Sequence, residues 1–124
     1  MTGSSRKVVG MEYRFFPIVN GGDLRSTQEF YQRLGFEKTF QFPLDGEPGY
    51  VSMARGEASI GIGAGEGEPF SVWSYVEDVD RIIEELRLAG VEIVAEPVDQ
   101  PWGERVAEVR DPTGILVHLA NAAS

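Results

Sequence analysis

The feature that most constrains this chain is a likeness to itself at a fixed offset. Shifted by 55 positions, Phe15 falls on Phe70, Asp23 on Asp78, Glu29 on Glu84 and Gly35 on Gly90. Glu37 then falls on Glu92, Val51 on Val106, Arg55 on Arg110 and Ile60 on Ile115. No gap is needed between Asp23 and Ala64. A chain built this way reads as two copies of one supersecondary module of about 50 residues. The modules span 8–64 and 70–121, joined by a Gly- and Pro-rich junction at 63–69. Together they are expected to form one domain over 1–124.

Both modules read in the same order. In the first, 13–19 is apolar and bulky, as a strand requires. Residues 20–23 form a turn, and Asp23 is placed to cap a helix over 24–34. There Leu24, Thr27, Phe30, Tyr31 and Leu34 recur at three- and four-residue spacing. Gly35 suits the left-handed position that ends a helix. Strands follow at 36–42, 50–54 and 59–63, the last two as a hairpin around Gly56 and Glu57. In the second, 71–76 is a strand and Asp78 caps a helix over 79–89, with Val79, Ile82, Ile83 and Leu86 on one face. Gly90 ends it. Strands are predicted at 91–95, 105–109 and 115–120, with a loop at 97–103 and a turn at 111–114. The result is βαβββ twice: an α+β protein with helices on one side of curved sheet.

Composition narrows function. Twenty acids against 11 bases give a net charge of −9, which argues against nucleic acid, since phosphate binding needs clustered Lys and Arg. An acidic surface suits a cationic ligand, and equally suits solubility alone. Cysteine is absent, so there is no disulfide, thiol nucleophile or thiolate metal site. No run approaches the roughly 20 apolar residues of a membrane span. Residues 1–10 lack the apolar core of a signal peptide. A cytoplasmic protein is expected. No Ser-His-Asp order, HExxH motif or phosphate-cradling glycine loop is present.

Several strings carry a family likeness: Asp23-Leu24, Phe30-Tyr31-Gln32-Arg33-Leu34-Gly35-Phe36, Val76-Glu77-Asp78-Val79-Asp80 and Ala89-Gly90-Val91. The most specific is Gln100-Pro101-Trp102-Gly103-Glu104-Arg105, followed by Arg110-Asp111-Pro112-Thr113-Gly114 and Val117-His118. In this order the chain resembles the vicinal oxygen chelate superfamily of glyoxalases, dioxygenases and antibiotic-resistance proteins, most of all the bleomycin-resistance type. The resemblance implies a curved-sheet cleft and a homodimer. In enzymes of the superfamily it implies a divalent metal held by His, Gln or Glu on the first and last strand of each module. The matching positions here are Phe16 (or Arg14), Gly63, Ser71 and His118. One ligand type in four does not suit such a metal, so no metal and no other cofactor is expected.

Strand alternation then sorts the faces. If Ser71 and His118 point into the cleft, so do Trp73, Tyr75, Leu116 and Ala120, with Arg14, Phe16, Ile18, Gly61 and Gly63. Gly61 and Gly63 would leave open space there. An aromatic wall with sparse polar groups is what ligand pockets use. The candidate ligand-binding residues are therefore Trp73, Tyr75, Trp102, His118, Ser71, Phe16, Arg14 and Arg105, and no catalytic residue is assigned. Each has a plainer role open to it: core or dimer contact for Trp73 and Tyr75, a plug for Trp102, a structural histidine for His118, and pairing with Glu12, Glu104 or Glu108 for Arg14 and Arg105. Glu12, Glu57, Glu66, Glu68 and Glu104 read as solvated surface carboxylates. The expected function is metal-independent sequestration of an aromatic or cationic small molecule. The alternatives are a metal-dependent lyase, isomerase or dioxygenase, and a sensor module whose site has been lost.

Overall fold

The computed structural model describes residues 14–65 and 67–123. Residues 8–13 of the first module lie outside the described residues, as do Glu12, Tyr13 and Glu66. Eight strands and two helices are described, an α+β protein. They fall into two compact units. One is Phe16–Val72; the other runs from Trp73 onward and includes Arg14 and Phe15.

The Phe16–Val72 unit contains β1 (Phe15–Asn20, divided between the units after Phe15), α1 (Leu24–Arg33), β2 (Glu37–Phe42), β3 (Tyr50–Arg55) and β4 (Ala58–Gly63), in the strand order β2-β3-β4-β1. Asp23 caps α1 by accepting from Ser26 N. Gly35, at φ +97°, ends it: Gly35 N donates to Gln32 O and Phe36 N to Tyr31 O. This is the paired closure that satisfies orphan carbonyls at a helix end. Val51, Met53, Ile60 and Ile62 form the core, with Leu24 and Tyr31 of α1 packed against them. Phe30 and Leu34 were expected on the buried stripe, but both are about half exposed.

The second unit contains β5 (Phe70–Tyr75, divided between the units after Val72), α2 (Val79–Leu88), β6 (Ile93–Asp99), β7 (Glu104–Arg110) and β8 (Leu116–Ala122), in the order β5-β8-β7-β6. Asp78 caps α2 through Arg81 N. Gly90 N and Val91 N close its end on Arg87 O and Leu86 O. Val79 and Ile83 of α2 are fully buried against Ala107, Val109 and Leu119. Burial of each aliphatic side chain contributes about 1.5–3 kcal/mol.

Two expectations need correction. The sixth strand begins later than predicted and runs through Pro97 to Asp99. It stands last in its strand order and meets β7 in an irregular register, and a sheet edge tolerates a residue with no N–H to donate. The gap-free offset also fails in the second hairpin. Strands β3 and β4 close at Arg55 and Ala58, across two residues. Strands β7 and β8 close at Arg110 and Leu116, across five. The residue opposite Gly63 is therefore Tyr50, whereas the residue opposite His118 is Glu108. Three additional residues are an odd number, so they reverse which face each residue of β7 presents.

Ile83→Ala is expected to lower stability by about 2–5 kcal/mol. Leu88→Ala, at a side chain 88% exposed, should stay within about 0.5 kcal/mol. Urea unfolding of the two variants checks the contrast.

Candidate functional site

The site is built on the second unit. Ala107 and Val109 of β7 and Leu119 of β8 are committed to the core under α2. Alternation turns Glu104, Val106 and Glu108 of β7 to the other face, with their cross-strand partners Ala122, Ala120 and His118. Trp73 and Tyr75 of β5 meet the same group. The Trp73 ring stacks on His118, with centroids 5.2 Å apart and planes at 23°. It meets Tyr75 at 6.1 Å and 61°. Arg14 lies over the Tyr75 ring with Cζ 5.1 Å from its centroid, and Tyr75 N donates to Arg14 O. His118 Nδ1 is 3.2 Å from Glu108 Oε2.

Glu104 joins the remaining aromatic residue to this group. The Tyr75 hydroxyl donates to its Oε2 at 2.5 Å, and Trp102 Nε1 donates to its Oε1 at 2.7 Å. Its expected role as a solvated surface acid is thus corrected: each carboxylate oxygen accepts a bond from an aromatic side chain. The sequence signal was the alternation of 104 with 108, obscured by the register change in the second hairpin. Burial, reinforced by the hydrogen bond and charge of Glu104, pushes the Tyr75 phenol well above its ordinary value. The phenol therefore stays neutral and acts as donor.

Five of the eight candidates come together here: Arg14, Trp73, Tyr75, Trp102 and His118. Arg105 does not. It turns to the helix side, where Nε and Nη2 donate to Asp80 of α2 at 2.8 and 3.0 Å and Nη1 donates to Asp99 at 3.0 Å. The Arg105 bond holds the Asp80 carboxyl below its usual range. Ser71 and Phe16 belong to the other unit and are buried there. The open space expected at Gly61 and Gly63 is occupied. A Cβ at Gly61 would collide with the Tyr50 hydroxyl, and one at Gly63 with Asn20 Oδ1.

A family model described as the glyoxalase/bleomycin resistance protein/dioxygenase superfamily matches residues 14–119. The chain belongs to this superfamily. It is 26% identical over 115 residues to a bleomycin resistance protein of Klebsiella pneumoniae, covering 83% of this chain and 87% of that one. Among solved structures, a superfamily member from Vibrio splendidus aligns with a TM-score of 0.72 at 17% identity, over 88% of this chain and 98% of that one. A hypothetical protein from Bacillus halodurans aligns with the same score and identity, over 92% and 97%. These likenesses give the glyoxalase/bleomycin-resistance fold.

A metal of the superfamily type would need donor side chains at the four positions that the resemblance assigns to its ligands. These are Phe16 (or Arg14), Gly63, Ser71 and His118; Phe16 and Ser71 are buried, Gly63 has no side chain, and His118 lies beside Glu108. Among the described residues no three His, Asp or Glu side chains gather as a metal would need. An imidazole and one carboxylate fall short of the ligand number that Zn, Mg or Ca requires. The described residues do not fit a metal of the superfamily type.

The Tyr75 shift has a sign that can be checked. The folded state holds the proton more tightly than the unfolded chain, so this contribution to stability is complete below pH 10.0, the ordinary value. It falls as pH rises from there toward the folded value. In a phenolate absorbance titration of the four tyrosines, one is expected to resist ionisation until the protein unfolds. Glu104→Gln should let it titrate earlier.

Proposed function

We propose that this protein binds and sequesters a small planar molecule, aromatic or cationic, without a metal and without making or breaking a bond. The observation that supports the reading is the connected group of Trp73, Tyr75, Trp102 and His118 on the sheet face opposite α2. Aromatic rings bury about 150–250 Å² each and stack on planar ligands, so a few of them supply most of an affinity. Glu104 and Glu108 lie among the rings, and the net charge of −9 attracts cations. The Klebsiella pneumoniae relative, a bleomycin resistance protein, makes such an antibiotic the first ligand to try, with resistance by sequestration as the consequence. An enzyme of the metal-dependent kind would need donors that Phe16, Gly63 and Ser71 do not offer. We also propose that the protein acts in the cytoplasm as a homodimer; light scattering at twice the chain mass is the expected result for the dimer.

The test is a titration with metal-free bleomycin in the presence of a chelator, read by Trp73 and Trp102 fluorescence. Saturable quenching at low-micromolar ligand is expected, with Trp102→Ala weakening it about tenfold or more, as loss of an aromatic anchor does. A flat titration into high micromolar ligand would remove bleomycin as the ligand. Flat titrations with other planar cations as well would defeat the sequestering role.

A further inference from the structure

Trp102 projects from the turn between β6 and β7. The turn's backbone is closed: Gln100 N donates to Glu104 O and Gly103 N to Gln100 O. Gly103 sits at φ +101°, a conformation that glycine adopts without strain. The backbone is therefore set, but Trp102 as a residue is 40% exposed. A half-exposed tryptophan on a turn ordinarily samples several rotamers, and a ligand that stacks on it must bear the cost of ordering it. Here the indole has an anchor. Its N–H is a donor only, and it meets Glu104 Oε1 at 2.7 Å. The other carboxylate oxygen is held by the Tyr75 hydroxyl from β5. Glu104 is thus fixed from the sheet on one side while fixing the turn on the other.

The direction of that bond matters. An indole N–H lies in the plane of the ring, so a bond to it restrains the edge and engages neither ring face. Hydrogen bonds to a charged acceptor are also about twice as strong as neutral ones. We infer that Glu104 is a positioning residue: it latches Trp102 to Tyr75 in the orientation from which the indole stacks on a ligand, so that the ordering cost is met before the ligand arrives. This rests on the sequestering reading above and adds to it the residue that prepares the site.

The test uses the full chain in a Trp73→Phe background, where Trp102 is the remaining tryptophan of two. Steady-state anisotropy, acrylamide quenching and the indole N–H resonance report on Trp102 directly. Glu104→Ala is expected to lower the anisotropy, raise the quenching constant and move the resonance, with far-UV circular dichroism unchanged. Affinity for metal-free bleomycin should fall about threefold to tenfold, the range expected from ordering one side chain on binding. Glu104→Gln keeps an acceptor for the indole and should restore most of both. Tyr75→Phe removes one hydroxyl from the latch and should give a smaller loss in the same direction, which keeps the test open if Glu104→Ala unfolds.

Anisotropy and resonance unchanged in Glu104→Ala would overturn the latch. A mobile Trp102 with unchanged affinity would overturn the positioning role. An equal loss in Glu104→Gln and Glu104→Ala, with Trp102 still anchored in the former, would mean that the carboxylate acts through its charge instead. If the unsubstituted chain shows no bleomycin binding, the ligand role of Trp102 falls with the sequestering reading, while the fluorescence measurements still decide whether the latch exists.

Discussion

The contact on which the second unit depends is the seating of Val79 and Ile83 on Ala107, Val109 and Leu119. It is a purely apolar contact, yet it decides the polar chemistry. A strand offers each face only every second residue. Once 107 and 109 go under the helix, 104, 106 and 108 have no choice but the other side. Glu104 and Glu108 are therefore brought beside Tyr75 and His118 by the burial of two neighbours that take no part in the site. A shift of one residue in β7 would bury both carboxylates against α2 and turn Arg105 outward. The cost of burying unpaired charge makes that register prohibitive.

The same reasoning explains what was legible in the sequence. Helix ends were legible because their signals are local: Asp23 and Asp78 as caps, Gly35 and Gly90 at positive φ. Both helices end one residue before the predicted position, at Arg33 and Leu88. The face shared by Trp73, Tyr75 and His118 was legible from alternation. The identities Val51/Val106 and Arg55/Arg110 misled, because a gap-free alignment does not detect a longer hairpin. Val51 lies in the core beside Ile62, but Val106 faces away from α2. Arg55 donates to Leu34 O at the end of α1, whereas Arg110 donates to Gly114 O within its own hairpin. Identical residues at one offset make different contacts once the turn between strands changes length.

Glycines misled in another way. In a strand, a glycine reads as missing volume, and nothing in one sequence says what fills it. At Gly61 and Gly63 the filling comes from a diagonal Tyr50 and from Asn20 on the parallel neighbour. The glycines are needed because those two side chains lie flat across the strand. Space read from a missing side chain is therefore a statement about neighbours, and those become visible only when the register is known.

Charge is unevenly spread over the second unit, where Arg14 over the Tyr75 ring shares a face with Glu104 and Glu108. The three arginines on the α2 side are paired locally: Arg105 with Asp80 and Asp99, Arg87 with Glu84 and Glu96, and Arg81 with Glu77 and Glu85. These are exposed pairs of small energetic value, but they leave little cationic field on that side. On the opposite face two carboxylates of one strand lie among aromatic rings. One oxygen pair is spent on fixing Trp102 and Tyr75, and a carboxylate oxygen carries more than one lone pair. Hydrogen bonding therefore orients the Glu104 carboxyl group between two aromatic side chains. An aromatic surface whose negative charge is held in a set position differs from one where acids move freely in water. For the sequestering role proposed above, such a surface would favour a planar ligand that presents positive charge at one edge.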